Sequence, residues 1–134
     1  MSETVHQGRC LCGAVRFTAT GQPLSVVHCH CQSCRGQTSA PVATFAIYPR
    51  QRFAITEGTA KAYASSPGVK RSFCAACGAP LTYESEKRAE QVDVLIGAFD
   101  EPGAFTPEEH VYYAEKVSWL EIADHLPRHD DGGG

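Results

Sequence analysis

The chain has 134 residues, 43% hydrophobic and 20% charged, a composition that fits one soluble globular domain. No apolar run approaches the roughly 18 residues a membrane-spanning helix needs, so no membrane partner is expected. The formal net charge is −3 and basic residues occur only as short couples, such as Arg50 with Arg52 and Lys70 with Arg71, so a nucleic-acid partner is not expected either.

The polar start, Met-Ser-Glu-Thr-Val-His, lacks a basic segment followed by an apolar stretch, and a cytoplasmic protein with reduced thiols is expected. Val15, Phe17 and Ala19 alternate with Arg16, Thr18 and Thr20, a strand pattern ended by Gly21 and Pro23. Leu24 to His28 forms a second apolar run, followed by a short helix expected from Gln32 to Gln37 with Cys34 in its first turn. Val42 to Tyr48 is rich in strand formers and stops before Pro49. Phe53 to Thr56, Lys61 to Ala64 and Val69 to Phe73 are further strands, divided by Glu57-Gly58 and Ser66-Pro67-Gly68. Leu81 to Glu84 and Val92 to Ile96 continue the series. Glu108 and Glu109 are expected to start a helical turn after Pro107, and Val111 to Tyr113 to form a last strand. The pattern predicts a mainly β fold in a single domain over residues 1–127, with a disordered tail over 128–134.

Seven cysteines fall into three groups: Cys10 and Cys12; Cys29, Cys31 and Cys34; and Cys74 and Cys77. In an extended chain residues i and i+2 share a face, so Cys10 and Cys12 can present two thiolates to one ion. Cys74-Ala75-Ala76-Cys77 does the same in a tight turn, with Gly78 allowing the backbone to curl. Together the two pairs supply the ligands of a closed tetrahedral zinc site. The competing reading is two redox-active thiol pairs, although the non-helical surroundings of Cys74 and Cys77 do not suit a thioredoxin-like motif. The remaining three cysteines can close on a second zinc and leave one position open. A histidine, His28, His30 or a distant one, is the alternative fourth ligand, but alternation points His28 and His30 away from the sulfurs. Two zinc ions, one structural and one open, are therefore expected. An open zinc with three thiolates suits capture of an exogenous thiol, and zinc-water hydrolysis is the competing chemistry.

Three segments carry a resemblance to a known family: Gly8-Arg9-Cys10-Leu11-Cys12-Gly13-Ala14-Val15-Arg16-Phe17, His28-Cys29-His30-Cys31-Gln32-Ser33-Cys34-Arg35 and Phe73-Cys74-Ala75-Ala76-Cys77-Gly78. With Pro107 to Tyr112 and Trp119-Leu120, they resemble the glutathione-dependent formaldehyde-activating enzyme family, whose domain also occurs in centromere protein V. The resemblance implies an Mss4-like fold of coiled antiparallel β-sheets. It assigns Cys10, Cys12, Cys74 and Cys77 to a structural zinc, and Cys29, Cys31 and Cys34 to a catalytic or substrate-binding zinc. It implies a carbon–sulfur lyase that forms S-(hydroxymethyl)glutathione from formaldehyde and glutathione. The family often has Ser after Cys77-Gly78, where this chain has Ala79-Pro80, which puts a hydroxyl role there in doubt. Arg35 is a candidate partner for a glutathione carboxylate and His110 a candidate proton shuttle beside the open zinc. A thiol carrier or protein-interaction module without turnover is the alternative function. The chromosome-associated role is not expected, because the chain has no long basic or proline-rich extension, and Trp119 and Tyr112-Tyr113 read as core residues.

Overall fold

The computed structural model describes residues 3–132. Strands β1 (Val5–Arg9), β2 (Arg16–Thr20) and β5 (Phe53–Glu57) form an antiparallel sheet in the order β1-β2-β5. The second sheet contains β3 (Ser25–Cys29), β4 (Ala43–Pro49), β6 (Ala60–Ser66), β7 (Val69–Cys74), β8 (Pro80–Ser85), β9 (Gln91–Leu95) and β10 (Glu109–Val111). Its order is β10-β3-β4-β9-β8-β7-β6. Neighbouring strands are antiparallel except β10 and β3, which run parallel. The mainly β expectation holds, with this one parallel pair in a fold expected to be antiparallel.

Strand alternation sorts side chains into two apolar clusters. Phe17 and Ala19 of β2 meet Val26, Tyr48, Leu81, Val92 and Val94 of the larger sheet in the main core. Phe99 lies edge-on to Phe17 at 5.3 Å, a favourable arrangement for a ring pair, and tilts against Phe105 at 4.4 Å. The buried Tyr48 hydroxyl donates to the Gly21 carbonyl at 2.8 Å. The other cluster, Val27, Cys29, Ala43, Phe45, Leu95 and Val111, also takes in Cys34 from helix α1 (Gln32–Thr38). Val92, Asp93, Val94 and Leu95 of β9 are all buried, because this strand serves both clusters.

Where alternation is clear, strands fall as expected with ends displaced by a residue or two. β1 goes unseen in the sequence because Val5-His6-Gln7-Gly8-Arg9 has no apolar period. Its buried residue is Gly8, where a Cβ would overlap the Phe17 ring. Glu109 belongs to β10 and starts no helical turn; its strand is fixed by register with Val27, His28 and Cys29 of β3. The last strand ends at Val111, since Tyr112 takes a left-handed φ of 52°. Trp119 is 72% exposed and Tyr112 is also exposed, so neither is a core residue.

The final segment runs along β10. His110 N–H donates to the Pro127 carbonyl, His129 N–H to the His110 carbonyl, and Tyr112 N–H to the Asp131 carbonyl. Arg128 Nη1 pairs with Asp124 Oδ1 at 2.7 Å. Arg128, His129 and Asp131, in the segment expected to be disordered, are thus hydrogen-bonded to the fold. Gly133 and Gly134, like Met1 and Ser2 of the start read for targeting, lie outside the described residues.

Candidate metal centres

The four-cysteine group joins the two sheets. Cys10 and Cys12 sit in the turn after β1, closed by Cys10 N–H to the Val15 carbonyl and Gly13 N–H to the Cys10 carbonyl. Cys74 ends β7, and Gly78 N–H returns to its carbonyl at 2.8 Å. Gly13 and Gly78 have φ of 81° and 78°, which glycine adopts without strain. The sulfurs of Cys10, Cys12, Cys74 and Cys77 all lie within 4.8 Å of one another. Val15 N–H donates to Cys10 Sγ, and the Ala76 and Cys77 N–H groups donate to Cys74 Sγ, donors that favour thiolates. Burial opposes ionisation of Cys10, but the Val15 N–H and the neighbouring thiols bring it down to about 6. Cys12, despite the Ala14 N–H, is pushed up to about 11, chiefly by Cys10. Ala79 contributes its carbonyl to Cys74 N–H, so position 79 does its structural work without a hydroxyl.

The three-cysteine group is local. Cys29 ends β3, Cys31 caps α1, and Cys34 lies in its first turn, as the spacing predicts. Cys34 N–H donates to Cys31 Sγ at 3.2 Å, and the three sulfurs lie within 4.8 Å of one another. Hydrogen bonds with Cys29 and Cys34 hold the Cys31 thiol well below its usual range, while hydrogen bonds with Cys31 and Cys34, then burial, hold Cys29 far above. Three thiolates this close repel one another, and a cation resolves the conflict. Both groups therefore fit a metal ion by donor chemistry and by geometry.

A cleft of about 660 Å³ opens onto Cys29, Cys31 and Cys34, with Arg71, Tyr83, Lys87, Arg88, Asp93 and Glu109 in its wall. Arg88 grips Asp93 with both Nη atoms, at 3.1 and 2.7 Å. Burial raises the Asp93 pKa while this pairing lowers it, and burial prevails. A larger and more open depression of about 860 Å³ meets Cys10 but none of the triplet sulfurs. The triplet cleft is the better candidate for substrate.

The histidines stand on the other face of β3. His28 and His30 each stack on His110, with ring centres 5.0 and 5.1 Å apart. His30 Nε2 meets His110 Nδ1 at 2.8 Å, and His110 Nε2 meets Asp124 Oδ2 at 2.9 Å. Burial, then the neighbouring His110, lowers the His30 pKa to about 4. No histidine joins the triplet or lines its cleft among the described residues. This overturns the placing of His110 as a shuttle beside the sulfurs and matches the alternation argument for His28 and His30. Arg35 is committed to the backbone, with Nε on the His30 carbonyl and Nη2 on the Glu115 carbonyl, and does not line the cleft.

Sequence reasoning missed Arg71 and Tyr83. Arg71 is buried, donates to Cys34 Sγ at 3.5 Å and lies 4.7 Å from the centre of the Tyr83 ring. The available signal was its place in β7: alternation puts Arg71 on the face of Val69 and Phe73, a charge at an inward position.

Residues 5–115 match the profile described as glutathione-dependent formaldehyde-activating enzyme. A Halomonas elongata protein named "Putative glutathione-dependent formaldehyde-activating enzyme" is 28% identical over 127 residues, covering 87% of this chain and 80% of that protein. A Schizosaccharomyces pombe protein named "Uncharacterized lyase" is 33% identical over 78 residues; the match spans 58% of this chain and 56%, about half, of the yeast protein. The crystal structure of a Rhodobacter sphaeroides protein aligns with a TM-score of 0.59 at 18% identity, over 91% of this chain and 98% of that one. That likeness shows a shared fold, consistent with the Mss4-like architecture. With most of its length matched by the family profile, the chain belongs to the glutathione-dependent formaldehyde-activating enzyme family.

Proposed function

We propose that the chain is a zinc-dependent carbon–sulfur lyase of the formaldehyde-activating type, taking glutathione or a related thiol at the three-cysteine centre. The observation that carries this reading is the division of the sulfurs: four link the two sheets, while three meet a cleft whose volume suits a small molecule. Cys10, Cys12, Cys74 and Cys77 would hold a structural zinc, and Cys29, Cys31 and Cys34 a second zinc with one position left for substrate. Zinc there would supply a thiophilic Lewis acid at which a substrate thiol gives up its proton.

The chemistry is a reversible addition. A bond forms between the thiol sulfur and the carbonyl carbon, the π pair of C=O moves to oxygen, and oxygen takes the proton, giving a hemithioacetal. The chain contributes by confining both partners in the cleft, which replaces a chance encounter with an oriented one. Lys87 in the wall offers an ammonium to a carboxylate of the thiol peptide. The free cysteines suit a reducing compartment, and we place the protein in the cytoplasm on that ground. No helix among the described residues is long and apolar enough to cross a membrane.

The test is exchange spectroscopy on glutathione and formaldehyde at equilibrium. Zinc-loaded protein should speed interconversion with the hemithioacetal well above the spontaneous rate, and Cys31→Ser should abolish that gain. One observation favours a second reading, a thiol carrier: among the described residues no imidazole reaches the cleft to move a proton. Glutathione binding without acceleration would establish the carrier and remove the lyase reading.

A further inference from the structure

Arg71 is only 9% exposed, and taking a guanidinium out of water demands a counter-charge. Among the described residues it forms no ion pair with a carboxylate. Asp93, the buried acid of the same cleft, is occupied by Arg88. Neutral groups hold Arg71 in place instead: Nη1 donates to Gln37 Oε1 at 2.7 Å, Nε donates to Ser65 Oγ at 3.1 Å, and the guanidinium faces the Tyr83 ring. Its remaining hydrogen-bond partner is Cys34 Sγ, within a group of three ionisable sulfurs.

We propose that Arg71 is the counter-ion of the three-sulfur centre, a positioning residue that makes it accept an anionic fourth ligand, a thiolate, in preference to a neutral one. This rests on the reading of that centre as a thiol site. A divalent ion with three thiolates carries a net negative charge, and a fourth thiolate adds another in a cleft partly shielded from water. A cation fixed beside one sulfur offsets that repulsion, whereas a neutral ligand such as water or imidazole has no need of it. Gln37 and Ser65 fix the charge toward Cys34, and Asp93, the carboxylate of the cleft whose charge Arg71 feels, is itself held by Arg88.

The test uses intact protein loaded with cobalt(II), whose sulfur-to-metal charge-transfer bands report the fourth ligand. Wild type, Arg71→Met, Arg71→Lys and Gln37→Met are titrated with glutathione and, separately, with imidazole. Arg71→Met should weaken glutathione binding about tenfold or more, equivalent to about 1.4 kcal/mol, and change imidazole binding by less than about twofold. Arg71→Lys should recover most of the loss, and Gln37→Met, which frees the guanidinium from its amide acceptor, should show a smaller loss of the same selectivity. Because Gln37 is on α1 and only half-buried, that variant carries the test if Arg71→Met does not fold. An unchanged glutathione-to-imidazole ratio in the folded variants overturns the assignment while the thiol reading stands. A wild-type spectrum unmoved by glutathione overturns both.

Discussion

Gly58 turns the chain between β5 and β6 with a φ of 75°, and a Cβ there would overlap the Ala14 carbonyl in the first cysteine turn. Gly58→Ala therefore combines a strained conformation with a backbone clash beside the four-sulfur group. It should cost about 2 kcal/mol or more in urea unfolding, with loss of metal at lower denaturant than in wild type. Tyr48→Phe is a milder change: it removes the hydroxyl from the Gly21 carbonyl, keeps the ring in the core, and should cost about 1 kcal/mol. His30 gives the fold a defined acid sensitivity. Its pKa is 6.5 in an exposed setting and is lowered to about 4 here, so between those values the unfolded chain binds more protons than the folded one. Stability contributed by the neutral ring is complete above about pH 6.5 and declines as pH falls toward about 4. Urea midpoints measured across that range should fall more steeply for wild type than for His30→Gln.

At the scale of elements, strands with one apolar face were legible because a period of two records burial directly. Val15, Phe17 and Ala19 announce β2, and Val92 to Ile96 announce a strand whose burial on both faces is a feature of the fold. β1 was not legible and β10 was read two residues late, as Val111 to Tyr113, since their place is set by backbone pairing and by close approach at Gly8 rather than by apolar side chains. The same applies to Arg128 to Asp131, whose polar composition says nothing of the carbonyls and N–H groups it offers to β10. Removing residues 128–134 should leave the Tyr112 amide without its Asp131 acceptor. Hydrogen exchange at that amide should rise at least about tenfold, with Val94 amide exchange in the central strand little changed.

Across the whole molecule, the two cysteine groups have different mechanical duties. Cys10 and Cys12 follow a strand of the small sheet, Cys74 ends a strand of the large one and Cys77 follows it, so the four-sulfur group ties the sheets. Cys74→Ser should lose cooperative unfolding, seen by circular dichroism, together with the metal of that centre. Cys31→Ser should keep the fold and about one metal per chain, measured by elemental analysis against about two in wild type. The cysteine groups could be seen in the sequence because their ligands are chemically distinctive and closely spaced. The surroundings of the triplet could not, because Arg71 and Tyr83 come from β7 and β8, and His110 turns its ring away through the register of β10.

That register also sets an order of events during synthesis. All three triplet cysteines have been made by residue 34, and the last sulfur of the four-cysteine group by residue 77, yet Cys29, flanked on one side by Ala43, has Val111 as its neighbour on the other. The strand carrying Cys29 thus remains an uncovered sheet edge until most of the chain has left the ribosome. The sheet-linking centre can assemble on a nascent chain, whereas the triplet gains its full enclosure near the end of translation.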